Sequence, residues 1–271
     1  MKTRVITAFV LLPLLLVLLL VAPKVCTAIL VGLMAAIAAY ELLLGTGILK
    51  NIRLFIYCAV SAFWCVLWCG LSVGYAWLLL GILVFFIAMF AELMASNMKL
   101  PFDKSTVCFF AGVILPLLLG SIVRIHNTQE GRVFVLIPFV LAFTSDTGAY
   151  FVGLKFGKHK LAPVISPKKT VEGVAGGVLG AIVGMMLYCL FLEAFFGFEA
   201  NYLYGVIYAA IGSLAGVFGD LCFSVIKRQA GIKDYGNLIP GHGGILDRFD
   251  SMMIVGPAAE ILLLLLPVAV K

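Results

Sequence analysis

Apolar runs long enough to cross a bilayer recur along the whole chain, and they limit the possible fold more than any other feature. A membrane-spanning helix needs about 20 predominantly apolar residues. Of the 271 residues, 63% are hydrophobic and 12% are charged, whereas soluble domains carry about 25% charged residues. The sequence therefore predicts an all-α polytopic membrane protein and excludes a soluble domain with a large core.

The apolar runs predict nine spans, at residues 6–22, 25–45, 54–71, 74–95, 107–125, 133–154, 171–192, 203–226 and 250–269. The first run follows a basic start, as in a signal peptide. Its length is nearer to that of a span, and no convincing small-residue cleavage pattern follows it. We therefore expect a retained first helix and a single integral membrane domain over residues 1–271.

Basic residues are distributed unevenly between the two sides of the predicted membrane helices. Fifteen of the 19 Lys and Arg residues share the side of the N-terminus, and four lie on the other side, Lys24, Arg124, Arg132 and Lys271. The basic residues of loops 155–170 and 227–249 could instead bind substrate. When these two loops are left out of the count, six basic residues lie on the N-terminal side and four on the other, a bias in the same direction but weak. Since cytoplasmic loops are enriched in Lys and Arg, we expect a multi-pass protein of the inner (cytoplasmic) membrane, with a cytoplasmic N-terminus and an external C-terminus.

Polar residues are concentrated in the second half of the chain. Residues 1–140 are mostly plain apolar spans, which predicts a scaffold, and residues 252–271 complete the last span. Residues 141–251 contain nearly all the unusual polar residues. We expect this segment to build a polar cavity that faces the cytoplasm.

The cysteines do not indicate a metal site or disulfides. All seven lie inside apolar segments, and no CxxC pair has the spacing of zinc ligands. We interpret them as thiols of the protein core or of lipid-facing surfaces.

Two aspartates are predicted to lie within the membrane. Asp220 precedes Lys227 by seven residues, which places it about 10 Å inside the helix end, and Asp146 precedes Lys155 by nine, or about 13 Å. An ionised group at such a depth costs at least about 2.5–3.5 kcal/mol. Buried acids of this kind usually face a polar cavity and a partner.

The helix around Asp220 carries a polar stripe. Asp220, Ser224, Lys227 and Arg228 are spaced i, i+4, i+7 and i+8, and therefore share one face. A cation at the acidic end and phosphates at the basic end would satisfy this stripe. Lys227 and Arg228 could instead have no ligand, with an intramolecular salt bridge and side chains that snorkel to the membrane interface.

The segment KDYGNLIPGHGGILDRFD, residues 233–250, combines flexible backbone with charge. Its glycines allow backbone N–H groups to approach a ligand closely. Asp247 and Asp250 are spaced i, i+3, so they can face one site, and carboxylates are suitable Mg²⁺ ligands. Basic side chains that could hold phosphate oxygens are Lys168, Lys169, Lys233 and Arg248.

Residues 224–250 resemble the signature of the phosphatidate cytidylyltransferase (CDP-diacylglycerol synthase) family. SVIKRQAGIKDYGNLIPGHGGILDRFD meets every fixed position of S-x-x-K-R-x-x-x-x-K-D-x-G-x-x-[IL]-P-G-H-G-G-x-x-D-R-x-D. The upstream elements Asp146–Tyr150 and Ser166–Gly173 are similar to those of the family as well. The resemblance is specific over about 141–251, and the first half matches only as apolar spans.

The resemblance implies that CMP is transferred from CTP to phosphatidic acid, which yields CDP-diacylglycerol and pyrophosphate in phospholipid biosynthesis. It implies Mg²⁺ as cofactor and leaves a second cation open. The partners it implies are CTP, phosphatidic acid, the lipid bilayer and a second copy of the chain, with no nucleic acid. Catalysis of this kind depends on positioning and charge neutralisation, so the lack of a nucleophilic triad is expected.

The resemblance also implies roles for individual residues. Asp220 and Asp247 would hold the metal, and Lys227 and Arg228 the lipid phosphate. Lys233, Arg248 and His242 would hold nucleotide phosphates, although His242 could equally anchor the backbone. Further substrate contacts are expected from Asp146, Lys169, Ser224, Asp234, Gly243, Gly244 and Asp250.

Two other functions remain open at this point. A CTP-using polyprenol or phytol kinase has a similar membrane core, but it would transfer the γ-phosphoryl group and release CDP. A secondary transporter for a phosphorylated solute would show interrupted helices in two matching halves, a pattern that this sequence does not show.

Overall fold

The apolar runs form long helices in a computed structural model of the protein, which describes residues 13–49, 51–71, 73–96, 101–239 and 243–271. Among these residues, seven helical stretches are long and apolar enough to cross a membrane: Lys24–Gly45, Ile52–Gly70, Tyr75–Ala95, Phe102–Asn127, Gly131–Phe156, Val171–Phe196 and Tyr202–Gln229. They coincide with the second to eighth predicted spans. The chain is a multi-pass helical membrane protein.

The predicted count of nine spans is not confirmed. Residues 13–20 of the first predicted span are helical, and its earlier part lies outside the described residues. Within the last predicted span, 250–269, the helix is Met252–Leu265, which has 14 residues and Pro257 inside it. At 1.5 Å per residue this helix is about 21 Å long, which is shorter than the hydrocarbon core of about 30 Å.

The prediction of an all-α protein misses two short antiparallel ribbons. Lys160–Ala162 pairs with Ser166–Thr170, and Glu199–Ala200 pairs with Ala269–Val270. Strands of two to five residues are too short to show an alternation of apolar and polar side chains. The first ribbon includes Lys168 and Lys169, which the sequence placed in a loop.

The chain divides into two compact units, and the division does not follow the predicted halves. The first unit contains Met1–Arg132 and Gln229–Phe249, and the second contains Val133–Arg228 and Asp250–Lys271. The glycine-rich loop (residues 231–245) therefore groups with the N-terminal spans. The single domain over residues 1–271 stays a prediction.

The first unit is built on apolar helices, some of which are interrupted by π turns. Its described helices are Lys24–Tyr40, Ile52–Gly70, Tyr75–Ala95, Phe102–Phe109, Leu115–Leu119, Ser121–Asn127 and Leu246–Phe249. The π turns are Glu41–Gly45 and Phe110–Ile114. In the second of these turns the Gly112 carbonyl accepts a hydrogen bond from Ser61 Oγ at 2.9 Å, so a neighbouring helix satisfies backbone that the irregular turn exposes.

A groove of about 380 Å³ lies between two helices of the first unit, Ile52–Gly70 and Tyr75–Ala95. Its lining is apolar and includes Tyr57, Trp64, Trp77 and Phe85. It is not the polar cavity that the sequence assigned to residues 141–251, and that cavity is not confirmed.

The second unit is held together by closely packed glycines. Its helices are Ile137–Phe156, Val171–Phe196, Tyr202–Gln229 and Met252–Leu265, and the turn Gly131–Phe134 precedes them. A Cβ atom added at Gly148 would overlap the Gly176 carbonyl oxygen, and one added at Gly180 would lie 3.1 Å from the Gly148 Cα. The small residues of helix Val171–Phe196 therefore allow close helix packing.

We expect Gly148→Ala to lower the free energy of unfolding by about 1–3 kcal/mol, because the new methyl group meets backbone that cannot rotate away. Thermal unfolding of the detergent-solubilised protein measures the change. Gly74→Ala is the matched control, since a Cβ there would meet nothing within 4 Å. Equal melting temperatures for the two variants would contradict this packing.

Candidate functional site

Helix Tyr202–Gln229 carries the polar stripe that the sequence predicted. Ser224 Oγ donates a hydrogen bond to Asp220 Oδ1 at 3.1 Å, as residues four apart on one helix face can do. Ser224 and Lys227 are buried, Asp220 is half-buried and Arg228 is exposed. Arg228 Nε donates to the Ile165 carbonyl at 3.1 Å. The stripe therefore runs from an acid through a hydroxyl to two cations.

Lys169 reaches this stripe from the strand Ser166–Thr170. The strand ends at Thr170, whose side chain accepts a hydrogen bond from Gly173 N at 3.1 Å and so caps helix Val171–Phe196. Lys169 Nζ lies 2.7 Å from Asp220 Oδ2 and 3.4 Å from the Val217 carbonyl oxygen. The sequence assigned Lys169 to substrate phosphates, and the structure places its ammonium group on Asp220.

Asp250 meets the same stripe from the turn that precedes helix Met252–Leu265. Lys227 Nζ lies 3.8 Å from Asp250 Oδ2, and both side chains are nearly buried. The backbone of Asp250 can approach helix Tyr202–Gln229 closely because residue 219 of the helix is glycine. A Cβ at Gly219 would lie 2.9 Å from the Asp250 carbonyl oxygen.

These residues of the second unit form one group, the acid–lysine cluster, which consists of Lys169, Asp220, Ser224, Lys227 and Asp250. It contains two carboxylates and two ammonium groups, so its formal charges balance. The side chains of Asp220 and Lys169 are 35% and 24% exposed. A ligand could therefore reach this end of the cluster.

Asp247 has a different environment, in the first unit. It lies in the short helix Leu246–Phe249, and its Oδ2 atom accepts hydrogen bonds from Tyr235 N at 2.8 Å and Gly244 N at 3.0 Å. Gly243 has φ of 89°, which favours glycine. The helix ends at Phe249, and the described contacts of Asp247 and Asp250 go to different partners. The expectation that Asp247 and Asp250 face one site stays a prediction.

Glu41 is part of this arrangement, and sequence reasoning missed it. It is 2% exposed, and its carboxylate accepts hydrogen bonds from Ile245 N at 2.9 Å and Leu246 N at 2.8 Å. The available signal was an acidic residue in the otherwise apolar run 25–45, since an ionisable group inside a span is a candidate functional residue.

Other predicted site residues lie at the surface or outside the described part of the chain. Asp146, Lys233, Asp234 and Arg248 are exposed, Gly243 is half-buried and Gly244 is buried. The Gly244 N–H donates to Asp247, so in this geometry it is not directed at a substrate. His242 lies outside the described residues, and its role stays a prediction.

The donor atoms suit a hard divalent cation. The Asp220 carboxylate is accessible, and each of its oxygens has lone pairs beyond the contacts with Ser224 and Lys169. Asp247 also carries a carboxylate, the ligand type that Mg²⁺ prefers, but its side chain is buried and its Oδ2 atom accepts two backbone hydrogen bonds. Among the described residues, no group of three or more His, Cys, Asp or Glu side chains could hold a metal ion by itself.

Comparison with known proteins identifies the family. The model of the Cytidylyltransferase family matches residues 2–266, which is nearly the whole chain. The chain belongs to this family, and the family resemblance seen in the sequence is confirmed.

Curated relatives narrow the comparison to one group. A phosphatidate cytidylyltransferase of Staphylococcus saprophyticus subsp. saprophyticus is 42% identical to the chain, one of Staphylococcus epidermidis 43%, and one of Staphylococcus aureus 44%. Each match covers 146 residues, which is 54% of this chain and 55% of the relative. The chain thus matches about half the length of these relatives.

The pairing of Lys169 with Asp220 can be tested by a double-mutant cycle. For Lys169→Met and Asp220→Asn we expect a coupling of about 1 kcal/mol in the free energy of unfolding, because the pair is only partly exposed. Lys168→Met removes the same charge from the exposed neighbour and should combine additively with Asp220→Asn. Denaturant titration in mixed micelles measures the four variants of each cycle. Equal coupling for Lys168 and Lys169 would show that the contact is not specific.

Proposed function

We propose that the protein transfers CMP from CTP to phosphatidic acid, with CDP-diacylglycerol and pyrophosphate as products. The family match over residues 2–266 and the names of the curated relatives support this activity. The observation that supports it most strongly in the structure is the acid–lysine cluster on the membrane helix Tyr202–Gln229.

The charges of the cluster suit a ligand that contains both a divalent cation and phosphate. Lys169 neutralises Asp220, and Lys227 lies beside Asp250. If a cation takes over the Asp220 carboxylate, the Lys169 ammonium becomes available to a phosphate oxygen without loss of charge balance. This exchange reconciles the observed salt bridge with the phosphate-binding role that the sequence assigned to Lys169.

Asp220 and Asp247 are each proposed as an oxygen ligand of Mg²⁺. When bound, the ion would neutralise phosphate charge and orient the phosphates of CTP. Asp247 is suited to a fixed ligand role because two backbone N–H groups hold its Oδ2 atom.

The remaining residues would bind and orient the two anionic substrates. Lys227 and Arg228 are proposed to hold the phosphate of the lipid, and Lys233 and Arg248 the phosphates of CTP. A lipid phosphate oxygen attacks the α-phosphorus, the new P–O bond forms, and the bond to the bridging oxygen of pyrophosphate breaks. Positioning and charge neutralisation lower the barrier to this step, so the chain needs no nucleophile of its own.

The cellular arrangement is also a proposal. The distribution of basic residues supports a cytoplasmic N-terminus and a site open to the cytoplasm. CTP would then arrive from water and phosphatidic acid laterally from the bilayer. The sequence resemblance favours a homodimer, which chemical crosslinking in membranes would test.

The activity is tested with the purified full-length protein, CTP, phosphatidic acid and Mg²⁺. We expect pyrophosphate and a lipid with the mass of CDP-diacylglycerol. Release of CDP with phosphorylation of an added polyprenol would instead identify a kinase. Counterflow of a labelled anion in proteoliposomes, without turnover of CTP, would indicate a transporter.

The proposed ligands are tested by Asp220→Asn and Asp247→Asn, each of which replaces one carboxylate oxygen by an amide NH₂. We expect each change to lower turnover by at least about 100-fold, or about 2.7 kcal/mol, because a metal-ligand oxygen is lost. Initial rates of pyrophosphate release measure the effect. Asp103→Asn removes an exposed carboxylate of the first unit and should leave the rate unchanged. Wild-type turnover in either ligand variant would remove that residue from the proposed set.

A further inference from the structure

Glu41 combines deep burial with a hydrogen bond to each oxygen of its carboxylate. It lies at the start of the π turn Glu41–Gly45, within an otherwise apolar span, and is 2% exposed. Both of its oxygens accept hydrogen bonds from backbone N–H groups that are more than 200 positions away in the sequence. An acid in this environment is costly unless it has such partners. Its burial together with these long-range partners therefore points to a specific task.

The donors are the N–H groups at the beginning of helix Leu246–Phe249. Ile245 N and Leu246 N would otherwise be unsatisfied, because the first N–H groups of a helix have no partner within it. A carboxylate normally caps a helix from a position adjacent in the sequence. Here the cap comes from the first described span, so Glu41 fixes where this helix begins.

Asp247 directly follows Leu246 in this short helix. Its Oδ2 atom accepts from Tyr235 N and Gly244 N, while Glu41 accepts from Ile245 N and Leu246 N. Two carboxylates thus hold three consecutive N–H groups, of residues 244 to 246, together with that of Tyr235. Loss of the Glu41 contacts would leave the backbone beside Asp247 without two of these hydrogen bonds.

The glycines of the loop show that the space is shaped for this side chain. A Cβ at Gly236 would lie 2.9 Å from Glu41 Oε1, and a Cβ at Gly244 would overlap the Glu41 carboxylate. At these two positions, glycine leaves room for an acidic side chain of the protein itself. The sequence had attributed the same glycines to the close approach of a ligand.

We propose that Glu41 is a positioning residue that holds residues 244–246 so that the Asp247 carboxylate keeps its orientation. This inference rests on the proposed cytidylyltransferase reaction, in which Asp247 has a ligand role. It assigns a part in the reaction to the N-terminal spans, which the sequence had indicated only as scaffold.

The test compares Glu41→Gln with Glu92→Gln. Glutamine has nearly the same shape, but its NH₂ group cannot accept from an N–H, so one of the two hydrogen bonds is lost. Glu92 is a suitable control because it also lies in a membrane helix of the first unit, and its Oε1 accepts a long hydrogen bond, 3.4 Å, from the side chain of Asn51. We expect Glu41→Gln to lower kcat at least about 10-fold with little change in KM for phosphatidic acid, and Glu92→Gln to behave like wild type.

Hydrogen–deuterium exchange of the detergent-solubilised protein, without substrates or metal, provides a readout that does not depend on activity. We expect peptides that contain residues 244–247 to exchange at least about 10-fold faster in Glu41→Gln, and peptides from helix Ile52–Gly70 to be unchanged. Glu41→Asp keeps the carboxylate and should restore part of kcat relative to Glu41→Gln. If Glu41→Gln does not fold, Glu41→Asp is compared with the wild type instead. We then expect a smaller fall in kcat and a smaller rise in the exchange rate of residues 244–247.

The possible outcomes separate this inference from the proposed function. An active wild type with unchanged kcat and exchange in Glu41→Gln would overturn the positioning role. The same holds if kcat falls only in proportion to a loss of folded protein, or falls equally in Glu92→Gln. If the wild type forms no CDP-diacylglycerol, the proposed function fails and the role in catalysis fails with it, while exchange at residues 244–247 still reports whether Glu41 holds this backbone.

Discussion

A carboxylate that leaves water for an apolar protein interior is stable only where cations or N–H donors surround it. In the second unit, lysine ammonium groups lie beside Asp220 and Asp250. In the first unit, backbone N–H groups surround Glu41 and Asp247. The local architecture brings these partners into reach: the strand Ser166–Thr170 carries Lys169, and a glycine at position 219 admits the backbone of Asp250.

Much of this fold could be read from the sequence. Seven predicted spans coincide with helices, because a run of about 20 apolar residues has few alternatives in a bilayer. The Asp220–Ser224 contact followed from helical spacing. The last predicted span contains a helix of only 14 residues, Met252–Leu265, and apolarity alone does not reveal this length. The ribbons were missed because strands of two to five residues leave no periodic signal.

The partners of the site residues could be predicted only in part. Lys169 was recognised as a site residue, but its contact with Asp220 depends on the ribbon that orients its strand. Glu41 was missed because its partners are backbone N–H groups far along the chain, which no residue spacing can reveal. The glycines were correctly noted as sites of close approach, yet the group that approaches Gly236 and Gly244 is a side chain of the protein itself. Residue spacing thus did not indicate which groups these side chains contact.

The most direct measurement of the central proposal is an experimental structure of the full-length protein with Mg²⁺ and a non-hydrolysable CTP analogue. We expect an ion about 2.1 Å from a carboxylate oxygen of Asp220 and from phosphate oxygens of the analogue. We also expect the Lys169 ammonium to have moved from Asp220 to a phosphate. A bound analogue whose ion lies away from Asp220, with the Lys169–Asp220 salt bridge intact, would contradict the proposal.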